Sequence, residues 1–169
     1  MPPCLDVYVL TQYRDRERID RFMARYVDLD RSQDHEGEEL MVLPLGCDRA
    51  EDSLSLGDWD WVPVSTLGEI IEFGLAEPCR AFRAYLHSVA PWDQAILGFT
   101  TDCRLLVGVS VDDPLNLPGP RAAASKLMMD LIELVEGERG WVVAEMAPPL
   151  DPERDRPWEQ TWVVDRWDG

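Results

Sequence analysis

Asp58-Trp59-Asp60-Trp61 is the stretch whose residue types and spacing bear most directly on chemistry. Extended backbone sends successive side chains to opposite faces, so both carboxylates would share one face and both indoles the other. Such a surface suits a basic partner, because indoles supply anchoring area while carboxylates meet arginine or lysine. On an edge segment the same pattern would bury the tryptophans and leave the aspartates in water. Acids crowd around it. From Asp28 to Trp61 eleven carboxylates face only Arg31 and Arg49, which places over half of the net charge of −17 in about a fifth of the chain. The residues assigned to partner binding are Asp48, Glu51, Asp52, Asp58, Trp59, Asp60 and Trp61.

Other constellations bear on metal binding and catalysis. Calcium loops of the EF-hand type place oxygen ligands at positions 1, 3, 5, 7, 9 and 12. Counted from Asp28, those positions hold Asp28, Asp30, Ser32, Asp34, Glu36 and Glu39. Gln33 stands where the sharp turn needs glycine, His35 stands where an apolar residue is usual, and the following residues read as strand, so no metal is assigned. Cys4, Cys47, Cys79 and Cys103 form no C-x-x-C pair and read as thiols, without the convergence a zinc site needs. Paired carboxylates could hydrolyse a glycoside, but so many acids give that signal no specificity. His35 and His87 accompany no G-x-S-x-G nucleophile, and neither G-x-G-x-x-G nor G-x-x-x-x-G-K-[ST] occurs. The chain is read as a non-enzyme without a cofactor.

Composition sets the frame. A chain of 169 residues, 46% apolar, is long enough for one domain with a packed core. A net charge of −17 repels nucleic acid and anionic membranes and draws basic partners from a distance. Lys126 is the single lysine beside fifteen arginines, a pattern of GC-rich, bacterial coding that also favours bidentate bracing of carboxylates. No apolar run approaches the roughly 20 residues of a membrane-crossing helix, and Met1–Asp6 lacks the basic and apolar regions of a secretory signal. The expected location is the cytoplasm.

These residues need elements to hold them. Leu5–Leu10 alternates as a first strand. Asp15 can cap a following helix whose core stripe is Ile19, Phe22, Met23, Tyr26 and Val27. Glu39–Leu45 reads as a strand. Thr66-Leu67-Gly68-Glu69 is a capping box opening a helix that ends at Gly74, and Pro78 suits the start of another, with Phe82, Tyr85, Leu86 and Val89 inward. Gln94–Thr100 and Cys103–Val111 flank Thr101-Asp102 as a hairpin. After Pro114, Pro118 and Pro120, Ala122–Glu136 carries Ala124, Leu127, Met128, Leu131, Leu134 and Val135 on one face, with Gly137 as a left-handed cap. Trp141–Ala147 is a strand. Residues 150–169 form a C-terminal tail, in which Thr161–Val164 could close a sheet and Trp158, Trp162 and Trp167 cover the body.

The order β-α-β-α-α-β-β-α-β predicts a single α+β domain, with a mixed or mainly antiparallel sheet and helices packed on it. Its β-α-β start and β-β-α-β end resemble a ferredoxin-like layout, which implies nothing about function. The expected role is an acidic protein-binding module, an inhibitor or immunity-type protein that occludes the cationic site of a basic partner such as a bacterial toxin. An alternative is a small-molecule-binding or enzymatic domain with a pocket between sheet and helices. A plain structural subunit would instead present an apolar interface.

Overall fold

The first strand is apolar on both faces, with Val7 and Val9 on one side and Tyr8 and Leu10 on the other, and such a strand belongs in the middle of a covered sheet. In the computed structural model, which describes residues 4–113, 118–160 and 163–169, that is its place. The strands are β1 (Cys4–Thr11), β2 (Asp34–Val42), β3 (Asp60–Thr66), β4 (Phe82–His87), β5 (Gln94–Phe99), β6 (Leu105–Asp112), β7 (Arg139–Ala144) and β8 (Val163–Asp168). The helices are α1 (Arg16–Tyr26), α2 (Leu29–Ser32), α3 (Leu67–Ala76), α4 (Pro118–Val135) and α5 (Pro152–Asp155). One α+β fold results, with an eight-stranded sheet in the order β3-β2-β4-β5-β6-β1-β7-β8. Every neighbouring pair is antiparallel.

Strands β5-β6-β1-β7 with α1 and α4 reproduce a ferredoxin-like layout. Between α1 and β5 the chain inserts β2, β3, α3 and β4, which widen the sheet beyond β5. Residues 150–169 add α5 and the outer strand β8 on the other side.

One face of the sheet carries α1, α3 and α4. Ile19, Phe22, Met23 and Tyr26 of α1 pack there with Leu127, Met128 and Leu131 of α4, and Ile70 and Ile71 of α3 join them. Each such side chain contributes about 2 kcal/mol when fully buried. The opposite face holds Tyr8, Leu10, Ile96, Leu106, Trp141 and Val143, covered in part by Trp158. Two caps form as the spacing predicts: Asp15 Oδ1 accepts from Arg18 N at 2.9 Å, and Thr66 Oγ1 accepts from Glu69 N at 3.2 Å. Glu69 closes its half of the box on Ser65 N rather than on Thr66 N, at 2.7 Å.

Several expectations are corrected. The stretch opened by Pro78 is strand β4, not helix: Phe82, Ala84 and Leu86 are buried while Tyr85 and His87 are exposed, an alternation of two. Phe82 and Leu86 fit both a helical and a strand period, and full pairing with β5 decides for the strand. Asp28–Glu39 is not one continuous loop but a short helix followed by a strand. Asp28 caps α2 through Arg31 N at 3.3 Å, Ser32 is buried against His87, and β2 already begins at Asp34. Asp60–Thr66 is an additional strand. The β5–β6 connection spans Thr100 to Arg104, with Cys103 at φ +66°, and is longer than the two-residue turn expected. α3 runs two residues past Gly74, and Pro118 and Pro120 lie inside the first turn of α4, where proline needs no donor. The left-handed residue after α4 is Glu136, at φ +54°. Gly137 is required for a different reason, since a Cβ there would meet Val9 Cγ1 at 2.3 Å. Pro114 and Trp162 lie outside the described residues.

Candidate functional site

After β7 the chain turns at Glu145, whose φ is +50°, and folds back over the sheet face opposite α1, α3 and α4. Tyr8 Oη donates to Met146 O at 2.5 Å and Met146 N donates to Asp6 Oδ2 at 3.0 Å, so the crossing segment is tied to β1 at both groups of one residue. Further on, Leu150 packs with Leu43, Trp59 and Ala81, and Trp158 meets Trp141 edge-on at 5.7 Å. The segment becomes one wall of a groove on the open face.

Along this segment lie three adjacent hollows that share lining residues. A cleft of about 670 Å³ lies over Tyr8 and Ile96, walled by Tyr85, Asp93, Glu145 and Met146. It shares Tyr85 with a slot of about 300 Å³ between β2 and β4, where Glu38, Glu39, Met41 and Trp59 face Arg83. A third hollow of about 430 Å³, lined by Glu51, Asp52 and Asp155, meets the cleft at Glu145 and the slot at Arg83. Eight carboxylates line the three compartments: Asp6, Glu38, Glu39, Glu51, Asp52, Asp93, Glu145 and Asp155. Among the described residues Arg83 is the one arginine in these linings, and Glu51 holds it in an ion pair.

Asp6 is the most constrained of the acids. It is 6% exposed and accepts from Ser110 Oγ at 2.6 Å as well as from Met146 N. Burial pushes its carboxyl above the usual carboxylate range, partly offset by those hydrogen bonds. Burial and the neighbouring Asp6 push the Cys4 thiol up to about 12, so it is protonated and inert as a nucleophile at neutral pH. Burial also raises the Tyr8 hydroxyl well above its ordinary value.

The seven residues singled out from sequence divide. Glu51 and Asp52 line the hollow and Trp59 lines the slot, but Trp59 is 8% exposed and sits in an apolar cluster. Trp61 is 46% exposed on edge strand β3 and lies outside the three compartments. The two indoles therefore do not form one anchoring pair. Asp58 is held by Arg49 at 2.9 Å and by Ser55 N and Oγ, both at 2.8 Å, which lower its carboxyl to about 2. Asp60 pairs with Arg80 at 2.7 Å. Asp48 is exposed and is not among the residues that line the groove.

Sequence reasoning missed Asp6, Tyr85, Asp93 and Glu145. A signal existed for Asp6, an acid inside an otherwise apolar strand, whereas Tyr85 was hidden by the helical reading of β4. Among the described residues no group of three or more His, Cys, Asp or Glu side chains is placed to hold a metal ion, and no helix is long and apolar enough to cross a membrane. Comparison with known protein families, with curated proteins and with solved structures finds no match for this chain.

Proposed function

We propose that this chain is an acidic protein-binding module that captures a basic partner in the groove on the open face of its sheet. Its most concrete form is an inhibitor of the immunity type, which occludes a cationic site on a toxin. The composition of the groove carries this reading: eight carboxylates surround an aromatic and aliphatic floor whose arginine is already paired. Carboxylates in such numbers raise the local concentration of a cationic partner and orient its approach. Tyr85, 46% exposed where cleft and slot meet, supplies contact area beside them. The site differs from the tetrapeptide surface, because Asp58 and Asp60 are satisfied within the chain.

The test is affinity capture from source-cell lysate with the wild type and with a quadruple variant, Glu39→Gln, Asp52→Asn, Asp93→Asn and Glu145→Gln. All four side chains are exposed, so the fold tolerates their change. Retention of a basic protein that is lost in the variant and at high salt is the expected result. Equal capture by both proteins overturns the reading.

A second reading has its own observation. The cleft of about 670 Å³ has the size of a small-molecule site and holds a buried carboxyl beside Ser110 and Tyr8. It lies on the face away from the helices rather than between sheet and helices. A small amine that stabilises the wild type but not Asp6→Asn in a thermal-shift screen favours this alternative.

A further inference from the structure

We infer that a short extended segment of the basic partner enters the slot between β2 and β4 and pairs its main chain with Glu39 and Tyr85. This rests on the basic-partner reading and specifies how the partner is held.

The two strands share one ladder pair, Val42 with Phe82. Leu43 N donates to Ala81 O at 2.8 Å, so the main chain of residue 43 faces β4 and that of residue 81 faces β2. Peptide groups alternate along a strand, so Glu39 on β2 and Tyr85 on β4 also turn toward each other. Pro63 opposite Glu39 on β3 agrees, because a residue without an N–H fits a position where the ladder with β3 needs no bond. The register of Val42 with Phe82 would bring Glu39 opposite Tyr85, yet that pair does not form. Beyond the gap the end of β4 is tied to the α2 segment instead of to β2, by His87 N to Ser32 Oγ at 3.0 Å and Asp28 N to His87 O at 2.8 Å. A bulge between Asp34 and Glu38, with Gly37 at φ +82°, bends β2 in this region.

An opening of about 300 Å³ is lined by Glu39 and Tyr85, and the alternation of peptide groups turns their main-chain donors and acceptors toward it. Such edges recognise another extended main chain. The size admits a segment of few residues. Arg83 Nε, buried and without a hydrogen-bond partner, can donate to a carbonyl of that segment. Glu39, exposed, places a carboxylate where the side chains of a basic segment emerge, while the neighbouring Glu38 carboxylate is engaged by His35 Nδ1 at 2.7 Å.

The experiment titrates ¹⁵N-labelled protein with a capped Ala-Arg-Ala peptide, the same peptide with methylated backbone nitrogens, and a citrulline version. Expected are shifts centred on the amides of Glu39 and Tyr85, binding weakened about tenfold by methylation, and about fivefold by citrulline. Glu39→Gln reproduces the citrulline loss on the protein side. If the methylated peptide binds as well as the parent, or the shifts fall only around Asp93 and Glu145, the slot is not the docking point while the groove reading stands. Absence of binding at the solubility limit also overturns the slot, and lysate capture then judges the groove separately.

Discussion

Glu51, in a 3₁₀ turn at Glu51–Ser53, holds Arg83 of β4 with both carboxylate oxygens on one guanidinium nitrogen. This ion pair neutralises the arginine that lines both slot and hollow. Glu51→Gln therefore exposes a positive charge in the groove, and Arg83→Met removes one. Association with an arginine-rich peptide at low salt, followed by stopped flow, should slow several-fold in the first variant and accelerate several-fold in the second. Glu51→Gln should also cost about 2 kcal/mol in urea unfolding, because Arg83 Nε already lacks a partner and a second guanidinium contact weakens.

The break between β2 and β4 is measurable without any ligand. Amide exchange at Glu39 and Tyr85 should be fast, while Leu97 and Val107, paired on both sides at the centre of the sheet, exchange orders of magnitude more slowly. Protection of Glu39 and Tyr85 equal to that of the central strands would mean that the seam closes in solution.

What was legible in the sequence is what one element decides alone. α1 has a core stripe and its own aspartate cap, and the β5–β6 hairpin is built of β-branched residues on either side of a polar turn, so each is readable locally. β4 was not, because Phe82 and Leu86 satisfy two periods and only β5 alongside chooses between them. The acid excess was visible as a count. Its division was not: Asp58, Asp60 and Glu51 are held by Arg49, Arg80 and Arg83, and nothing in residue spacing assigns those partners. The groove itself needs the segment after β7 to return across the sheet, a tertiary event that local pattern does not record.

Gly108 shapes the groove floor by lacking a side chain. A Cβ there would meet Tyr8 Cδ1 at 2.5 Å and Val7 O at 3.1 Å, with the strand partner unable to retreat. Gly108→Ala should cost about 2–3 kcal/mol in chemical denaturation. It should also displace the Tyr8 ring and strip its bond to Met146, read as a shift of the Tyr8 ring signals. Gly119→Ala, where a Cβ meets nothing, is the control.

Two carboxyls, Asp6 buried and Asp102 half-buried, give opposite pH signatures. Burial would raise Asp102, but Arg104 and Thr100 hold it below its ordinary value. Its stability contribution is therefore present above the unfolded carboxylate value of about 3.9 and is lost as pH falls through the lower folded value. Asp102→Asn should be less stable than wild type at neutral pH, the gap closing in acid. Asp6 is raised by burial, so protonation favours the fold. Wild type should gain on Asp6→Asn as pH falls from the raised folded value of Asp6 toward 3.9. Urea midpoints across pH 2–7 check both signs.

Arg14 reaches across one end of the sheet and donates to Pro78 O at 2.9 Å, Arg80 O at 3.1 Å and Thr100 O at 3.2 Å. By gathering these carbonyls it brings together the loops that carry Cys79 and Cys103, both exposed, with the two thiols close enough to act on one another electrostatically. Sequence spacing showed four unrelated cysteines; the fold makes a pair of two. Oxidised glutathione should convert them to a Cys79–Cys103 disulfide, each thiol losing a proton and the two sulfurs together giving two electrons to the glutathione disulfide. Burial and the Cys79 thiol raise Cys103 above its ordinary value, so the rate should climb through alkaline pH as thiolate forms. Peptide mapping by mass spectrometry identifies the bridge, which Cys79→Ser abolishes. Arg14→Met should slow closure by releasing both loops. Separate glutathione adducts on Cys79 and Cys103, without a cross-link, would show that the loops hold the sulfurs in a geometry a disulfide does not accept.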